Sequence, residues 1–422
     1  MTTDMIDTGE IAAFVGIDWA DGEHEVCLMR ADGGMVESSC LKQSPESLSE
    51  WAHGLRDRFG NRKVALALEQ RKGPLIYALM CYEWLVLYPV NPKSLARYRE
   101  AFSVSNAKSD RGDAQLLMEM VRSHRDRLRA WVPENEDTRL LQMLVEERRR
   151  VVDEVTRLTN RLTSVLKEYY PQALELAGEL KSAQAVDFLT RWPTLEELKR
   201  ARPATIEKFY HQHGVRNKEK LQQRLASIRA AKQLTRDRAV VTSSVIKMRV
   251  TVEQLRVLLK ATREYDVQIE ELFEKHPDAS LFKSFPCAGK VLAPRLASAF
   301  GTDRQRWDDA AEVQNFSGIA PVTHASGQTR VVEKRRACPK FLRQTFMEYA
   351  AQSVKKSSWA RSYYKTMRAK GVKHRAALRA LAYKWIRIMY KCWKERTSYS
   401  ETAYQAALVR AKSPIASRLA TL

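Results

Sequence analysis

No two cysteines of this sequence fall in a C-x-x-C pair. The six present, Cys27, Cys40, Cys81, Cys287, Cys338 and Cys392, are scattered along 422 residues. That spacing argues against a zinc knuckle or a disulfide scaffold and suits a reducing interior. No apolar run approaches the ~20 residues that a membrane span needs. The acidic stretch Met1 to Ala13 lacks the basic-then-apolar order of a signal peptide. A cytoplasmic protein with no membrane partner is expected. Acidic residues are the scarcer sign: 50 Asp and Glu stand against 72 Lys and Arg, a formal net charge of +22. Folding gains nothing from such an imbalance, whose usual use is to meet a polyanion by displacing the counterions around phosphates. Nucleic acid, and a place beside the nucleoid, follow as expectations. Hydrophobic residues make up 44%, enough for a real core, and a chain of this length divides into two or three domains.

What is present reads as α/β followed by all-α. Over residues 1–130, the apolar run Ala12–Ile17 ends at Asp18, Glu25–Arg30 follows, and Ala31–Gly34 (ADGG) turns the chain into a third strand at Met35–Leu41. Helical patterns at Leu48–Phe59, Pro74–Glu83 and Asp113–Ser123 alternate with the strands Val64–Leu68 and Trp84–Val90. Residues 131–278 are helical. One apolar series runs from Leu141 to Tyr169 with Arg148 as its polar intruder, and a second from Val241 to Phe273 is broken by Asp266. Sustained steps of three and four predict a coiled coil or a long helical hairpin. A small helical insert lies between the arms, with Thr194 and Glu197 at capping-box spacing. Residues 279–400 form a third, mostly helical unit, whose opening FPCAGKVLAPRLASAFG has the pattern of a helix–turn–helix. Residues 401–422 read as a tail.

Four acids stand out by placement. Asp18 ends the first strand, Glu69 follows the strand VALAL, and Asp110 and Asp113 open a helix three residues apart, on one face. Strand ends and a helix start can converge at one edge of an α/β sheet. Clustered carboxylates repel unless a cation joins them, and hard divalent ions held by oxygens are the standard device for phosphodiester chemistry. Taken singly, an acid at a strand end is usually solvated and one at a helix start usually a cap; the combination is what points to chemistry.

The words around these acids carry a resemblance. GIDWAD at Gly16–Asp21, ALEQ at Ala67–Gln70 and KSDRGDA at Lys108–Ala114 resemble the DEDD motifs of the IS110-type insertion-sequence transposases, and VNP at Val90–Pro92 resembles a flanking word of that family. The resemblance implies an N-terminal domain with an RNase H fold, similar to RuvC Holliday-junction resolvases. It also implies binding of Mg²⁺, or Mn²⁺, by Asp18, Glu69, Asp110 and Asp113; Asp21 matches no ligand position. FSGIAPVTHASGQTR, Phe316–Arg330, resembles the family segment in which a Ser-Gly pair carries the proposed nucleophile, here Ser326 before Gly327. The implied activity is a recombinase that cuts and rejoins DNA at element ends and target. A structured noncoding guide RNA is the implied partner, and a homodimer or homotetramer the implied assembly. Where many members carry a Gly-Asn pair, this chain has RRACPKFLRQ, Arg335–Gln344.

Serine is a poor nucleophile until activated, but attack through it would conserve the phosphodiester bond as a phosphoserine for rejoining. Arg330, Lys334, Arg335 and Arg336 are expected to hold phosphate oxygens beside it. Further on, Lys355, Lys356, Arg361, Lys365, Arg368, Lys370, Lys373 and Arg375 are expected to track a nucleic-acid backbone among interleaved aromatics, while Trp385, Met389 and Trp393, spaced by four, are expected in the core. Two rivals predict different outcomes. A RuvC-like structure-selective endonuclease would use water and need only the carboxylates; a non-enzymatic nucleic-acid scaffold would need neither.

Overall fold

A computed structural model of the chain describes residues 11–60, 62–70, 72–102 and 109–413. The chain forms two compact units, one ending at Pro133 and the other beginning at Glu134. Among the described residues no helix is long and apolar enough to cross a membrane.

The first unit is built on a mixed sheet of β1 (Ala13–Asp18), β2 (Glu23–Arg30), β3 (Glu37–Lys42), β4 (Val64–Leu68) and β5 (Leu85–Pro89), in the order β3-β2-β1-β4-β5. β1 and β3 each run antiparallel to the central β2, as the ADGG turn predicts, while β4 and β5 lie parallel to β1. Helices α1 (Pro45–Phe59) and α2 (Pro74–Leu79) cover one face, packing Leu48, Leu55, Phe59 and Ile76 on Val15, Ile17, Leu66 and Leu68. Helices α3 (Pro92–Phe102) and α4 (Asp110–His124) cover the other, with Leu95, Leu117 and Val121 against Ala65, Ala67, Val86 and Tyr88. VALAL is buried at all five positions because both faces of β4 are covered, which is why it reads as an unbroken apolar run rather than an alternating one. The polar stretch after β5, to which the sequence assigns no element, contains α3.

The second unit begins with α5 (Glu136–Tyr169), which returns as α11 (Arg238–Glu274). These two expected arms form an antiparallel hairpin within one chain. Arg148 and Asp266, the intruders in the two apolar series, face each other: Arg148 Nε donates to Asp266 Oδ1 at 2.5 Å and Nη2 to Oδ2 at 3.3 Å. The far end of the hairpin carries the insert, five helices α6 (Ala173–Leu176), α7 (Ala183–Arg191), α8 (Leu195–Arg200), α9 (Pro203–Gln212) and α10 (Lys218–Ala230). Phe188, Trp192, Phe209 and Tyr210 fill their core together with Leu162, Leu166, Met248 and Leu255 of the arms. The Thr194 hydroxyl accepts from Glu197 N at 3.2 Å and caps α8, as the capping-box spacing predicts.

The near end of the hairpin packs Leu141, Val145, Ile269 and Phe273 into the core of the remaining helices, α12 (Ala279–Lys283), α13 (Gly289–Phe300), α14 (Ala310–Phe316), α15 (Lys340–Lys356), α16 (Ser358–Ala369), α17 (His374–Glu395) and α18 (Glu401–Arg410). Trp385, Met389 and Trp393 are fully buried there, as their spacing predicts. So is Trp359. The stretch expected as a tail begins with a helix. Glu401 accepts from the Ser357 and Tyr399 hydroxyls at 2.9 and 2.7 Å and so ties α18 to the core; residues 414–422 of that tail lie outside the described residues. Around THASGQTR, β6 (Val322–Ser326) and β7 (Thr329–Glu333) pair as a two-stranded ribbon.

Candidate active site and nucleic-acid surfaces

The register of the sheet places the first two carboxylates. Ile17 pairs with Leu68 across the parallel strands β1 and β4, so Asp18 and Glu69 stand one step further on at neighbouring strand ends, both half-buried. The loop after Asp18 is pinned by buried His24, which takes the Ala20 amide on Nδ1 at 3.2 Å and meets Gln43 Oε1 through Nε2 at 2.6 Å. Gln70 Oε1, next to Glu69, is buried without a partner among the described residues.

Gly16 decides where the other two carboxylates go. A Cβ there would lie 2.0 Å from the Ala114 carbonyl oxygen and 2.4 Å from the Met118 amide nitrogen. Backbone of α4 therefore rests directly on β1, a contact no other residue type allows. Phe14 packs on Leu117 and Val121, whereas Cys27, opposite Gly16, reaches the Arg111 carbonyl at 3.7 Å. Helix α4 thus runs antiparallel to β1 and brings its first turn toward the strand end that bears Asp18. Ser109 caps that turn by accepting from Gly112 N at 3.1 Å. Asp110 is exposed on it and Asp113 is buried. The positive end of the helix dipole favours both carboxylates there.

Among the described residues, no three Asp, Glu, His or Cys side chains are gathered closely enough to hold a metal ion. The fold brings Asp18 and Glu69 to one edge and turns Asp113 inward above the same sheet, without closing the set. Asp113 instead carries a cation from within the protein. Arg99 of α3 donates through Nε to Asp113 Oδ1 at 2.8 Å and through Nη2 to the same oxygen. Hard carboxylate oxygens at a shared edge are the donor chemistry a divalent ion takes, and an arginine seated on one of them marks a spot whose negative charge needs a counter-charge. Sequence reasoning missed Arg99. Its signal was its place one turn after Leu95, the buried residue of α3, but the helix was masked by its polarity. Arg99→Ala strands a carboxylate that is almost fully buried. It should destabilise the first unit by about 2 kcal/mol, allowing for water at the partly exposed arginine. An unchanged denaturation midpoint would show the pair to be idle.

Ser326 lies in the second unit, at the tip of the β6–β7 ribbon. It pairs with Thr329 across a two-residue turn in which Gly327 takes φ +54°, a left-handed conformation that favours glycine. The serine is exposed. Arg330 pairs with Ala325, and alternation along a strand puts it on the face opposite Ser326; His324 shares the serine's face. Of the cations expected to hold phosphate, Arg335 donates through Nη2 to Asn315 Oδ1 at 3.0 Å. Arg361 caps the end of α15 through the Val354 carbonyl at 3.0 Å and the Lys355 carbonyl, and Arg368 holds the Val372 carbonyl at 2.8 Å. These three tie loops and helix ends. Lys334, Arg336, Lys355, Lys356, Lys365, Lys370, Lys373 and Arg375 are exposed. Tyr383 is 37% exposed while Trp359, Trp385 and Trp393 are buried, so the tryptophans serve the core and not base stacking.

Residues 15–171 match a transposase family described by its IS110-type DEDD motifs, and residues 279–365 match the transposase IS116/IS110/IS902 family. A protein named as the mini-circle transposase for IS117, from Streptomyces coelicolor, is 26% identical over 95% of this chain and 98% of its own length. The 44.8 kDa protein of insertion element IS116 from Streptomyces clavuligerus is 24% identical over 92% of this chain and 96% of its own. The 43.6 kDa protein of insertion element IS110 from S. coelicolor is 24% identical over 94% and 97%. With a strand-edge pair of carboxylates, a helix that opens on two more and matches along nearly the whole chain, the protein belongs to the IS110 family of transposases, enzymes that recombine DNA.

Proposed function

We infer that this transposase breaks and rejoins the DNA of its insertion sequence through a phosphoserine at Ser326, in a reaction that also needs a metal held by Asp18, Glu69, Asp110 and Asp113. The observation that carries the carboxylate half is the β1–β4 register, which sets Asp18 beside Glu69 beneath the first turn of α4. The strand order β3-β2-β1-β4-β5, with its parallel second half, accords with an RNase H-like domain. Asp18, Glu69, Asp110 and Asp113 would hold a divalent cation, Mg²⁺ or Mn²⁺, which would supply Lewis-acid stabilisation of charge on the phosphoryl oxygens.

Ser326 supplies the nucleophile. Its hydroxyl loses a proton, the Oγ–P bond forms as the P–O bond to one strand breaks, and the departing strand oxygen takes up a proton. Attack by the hydroxyl of a second strand reverses these bonds and frees the serine. Exposure at a ribbon tip, with glycine next to it, supports this role by allowing close approach of a phosphate. The exposed cations of α15, α16 and the start of α17 fit phosphate contacts outside the reacting centre. A structured guide RNA is a partner that such basic surfaces accommodate. The long α5–α11 hairpin offers a surface on which copies could pair into dimers or tetramers.

The test is a denaturing gel after incubation with element-end DNA and Mg²⁺. The intact protein should leave a band of DNA covalently attached to protein, and Ser326→Ala should leave none. Recombination at the normal rate by Ser326→Ala would overturn the serine pathway in favour of attack by water.

A further inference from the structure

The charge of this chain is concentrated in one place outside every site described above. From Lys199 to Arg249, 51 residues carry fourteen Lys and Arg against only Glu207, Glu219 and Asp237, a net of +11 and half the +22 of the whole sequence. The preceding stretch, Asp153 to Leu198, has five basic and eight acidic residues, a net of −3. Both stretches belong to the helical head and the arms that carry it. A merely solvated surface would mix the signs; here they are segregated within one folded module.

Thirteen of the fourteen cations are exposed, and only Arg224, stacked over Tyr210, is half-buried. They lie on the end of α8, on α9 and its flanking connections, on α10, on the Ala231–Asp237 connection and on the first turns of α11. These pieces are held together: the Lys199 ammonium donates to the Ala231 carbonyl at 2.6 Å, and Gln172 donates to the Lys232 carbonyl at 2.8 Å. Of the three acids, Asp237 is turned to the end of α11, where Oδ1 accepts from Ala239 N at 2.7 Å and Val240 N at 3.2 Å.

What the surface lacks narrows its partner. Trp192, Phe209 and Tyr210 are buried in the head's core, so no tryptophan, tyrosine or phenylalanine of the head is offered to unstacked bases, and stacking on such rings is the usual means of holding a single strand. Steps of four and seven put Lys218, Gln222 and Arg229 in one outward row of α10, flanked by the small residues Ala226 and Ala230 and by Glu219, all exposed. Thirteen residues of helix make a rod ~20 Å long. The major groove of B-form DNA, ~12 Å wide, admits such a rod; the deep, narrow groove of duplex RNA does not.

We propose that the head is a docking surface for duplex DNA, held through its phosphates along α10 and the Ala231–Asp237 connection. It is independent of which residues carry the strand chemistry. The test uses the full chain with Lys218→Gln, Lys220→Gln, Arg229→Gln, Lys232→Gln and Arg236→Gln combined. Fluorescence anisotropy would follow a 30-base-pair DNA duplex, an RNA duplex of the same sequence and a single DNA strand over a range of salt. Affinity for the DNA duplex should fall at least tenfold, and the slope of log K against log salt should shrink by about four. Circular dichroism should stay unchanged. The charge-keeping set Lys218→Arg, Lys220→Arg and Lys232→Arg should bind as the parent does. Unchanged DNA-duplex binding, a loss confined to the single strand or the RNA duplex, or equal loss in the charge-keeping set would overturn the proposal.

Discussion

Asp18→Asn and Glu69→Gln will each lower strand transfer by at least about a thousandfold, ~4 kcal/mol of transition-state stabilisation. Folding and DNA affinity should stay close to the parent's. The substitutions keep shape and hydrogen-bonding capacity while removing the charge that a metal-dependent phosphoryl transfer needs. Both side chains sit half-exposed at strand ends, outside the apolar layers, so stability should move by less than about 1 kcal/mol. Rates of joining measured on element-end DNA, beside thermal melts and binding isotherms, separate the two effects. A variant that recombines within tenfold of the parent would remove its carboxylate from the chemistry. The covalent adduct at Ser326 should vanish in these variants as well, since the serine would lose the charge stabilisation that makes attack possible.

Gly16→Ala will be among the most damaging single-methyl additions in the chain. The new Cβ meets two backbone atoms of α4 at 2.0 and 2.4 Å and the Leu117 Cβ at 3.0 Å. No rotamer change relieves a clash with backbone, so the helix must lift from the sheet, and Leu117, Met118 and Val121 would be pulled from their packing. Overpacking in a rigid core costs 1–3 kcal/mol and occasionally more; here at least ~3 kcal/mol is expected. For a unit of this size that lowers the melting temperature on the order of 10 °C. The first turn of α4 would move with the helix, so the carboxylates should lose activity even where the fold survives. A melt within ~2 °C of the parent, with normal recombination, would show that α4 does not rest on Gly16.

Much of this arrangement was legible in the residues, for reasons that can be named. VALAL and AAFVGI announce buried strands, and each runs into an acid, because a charged side chain can follow a buried strand only where the sheet edge opens. Arg148 and Asp266 interrupt their apolar series at positions that face each other across the hairpin, so each supplies the other's charge. What stayed hidden was set by tertiary contact. Helix α3 buries only Leu95, so its polarity concealed both the helix and Arg99. The β6–β7 ribbon has four exposed residues of five on one strand and five of five on the other. Without a buried face, no alternation marks it as strand. Arg335, Arg361 and Arg368 also bond to a side-chain amide and to backbone carbonyls of the protein, contacts that composition does not announce.

The α5–α11 hairpin has a mechanical consequence. Its near end is embedded among the C-terminal helices through Leu141 and Phe273, and its far end in the head through Tyr169 and Met248. From Leu141 to Tyr169 the rise of an α-helix amounts to ~40 Å, with no break in α5. A rigid arm of that length can grip a helix of DNA roughly a dozen base pairs away from where the ribbon tip works. Footprints of this transposase should therefore extend past the point of strand exchange on one side, and shortening the arm by whole turns should draw that outer boundary inward in step.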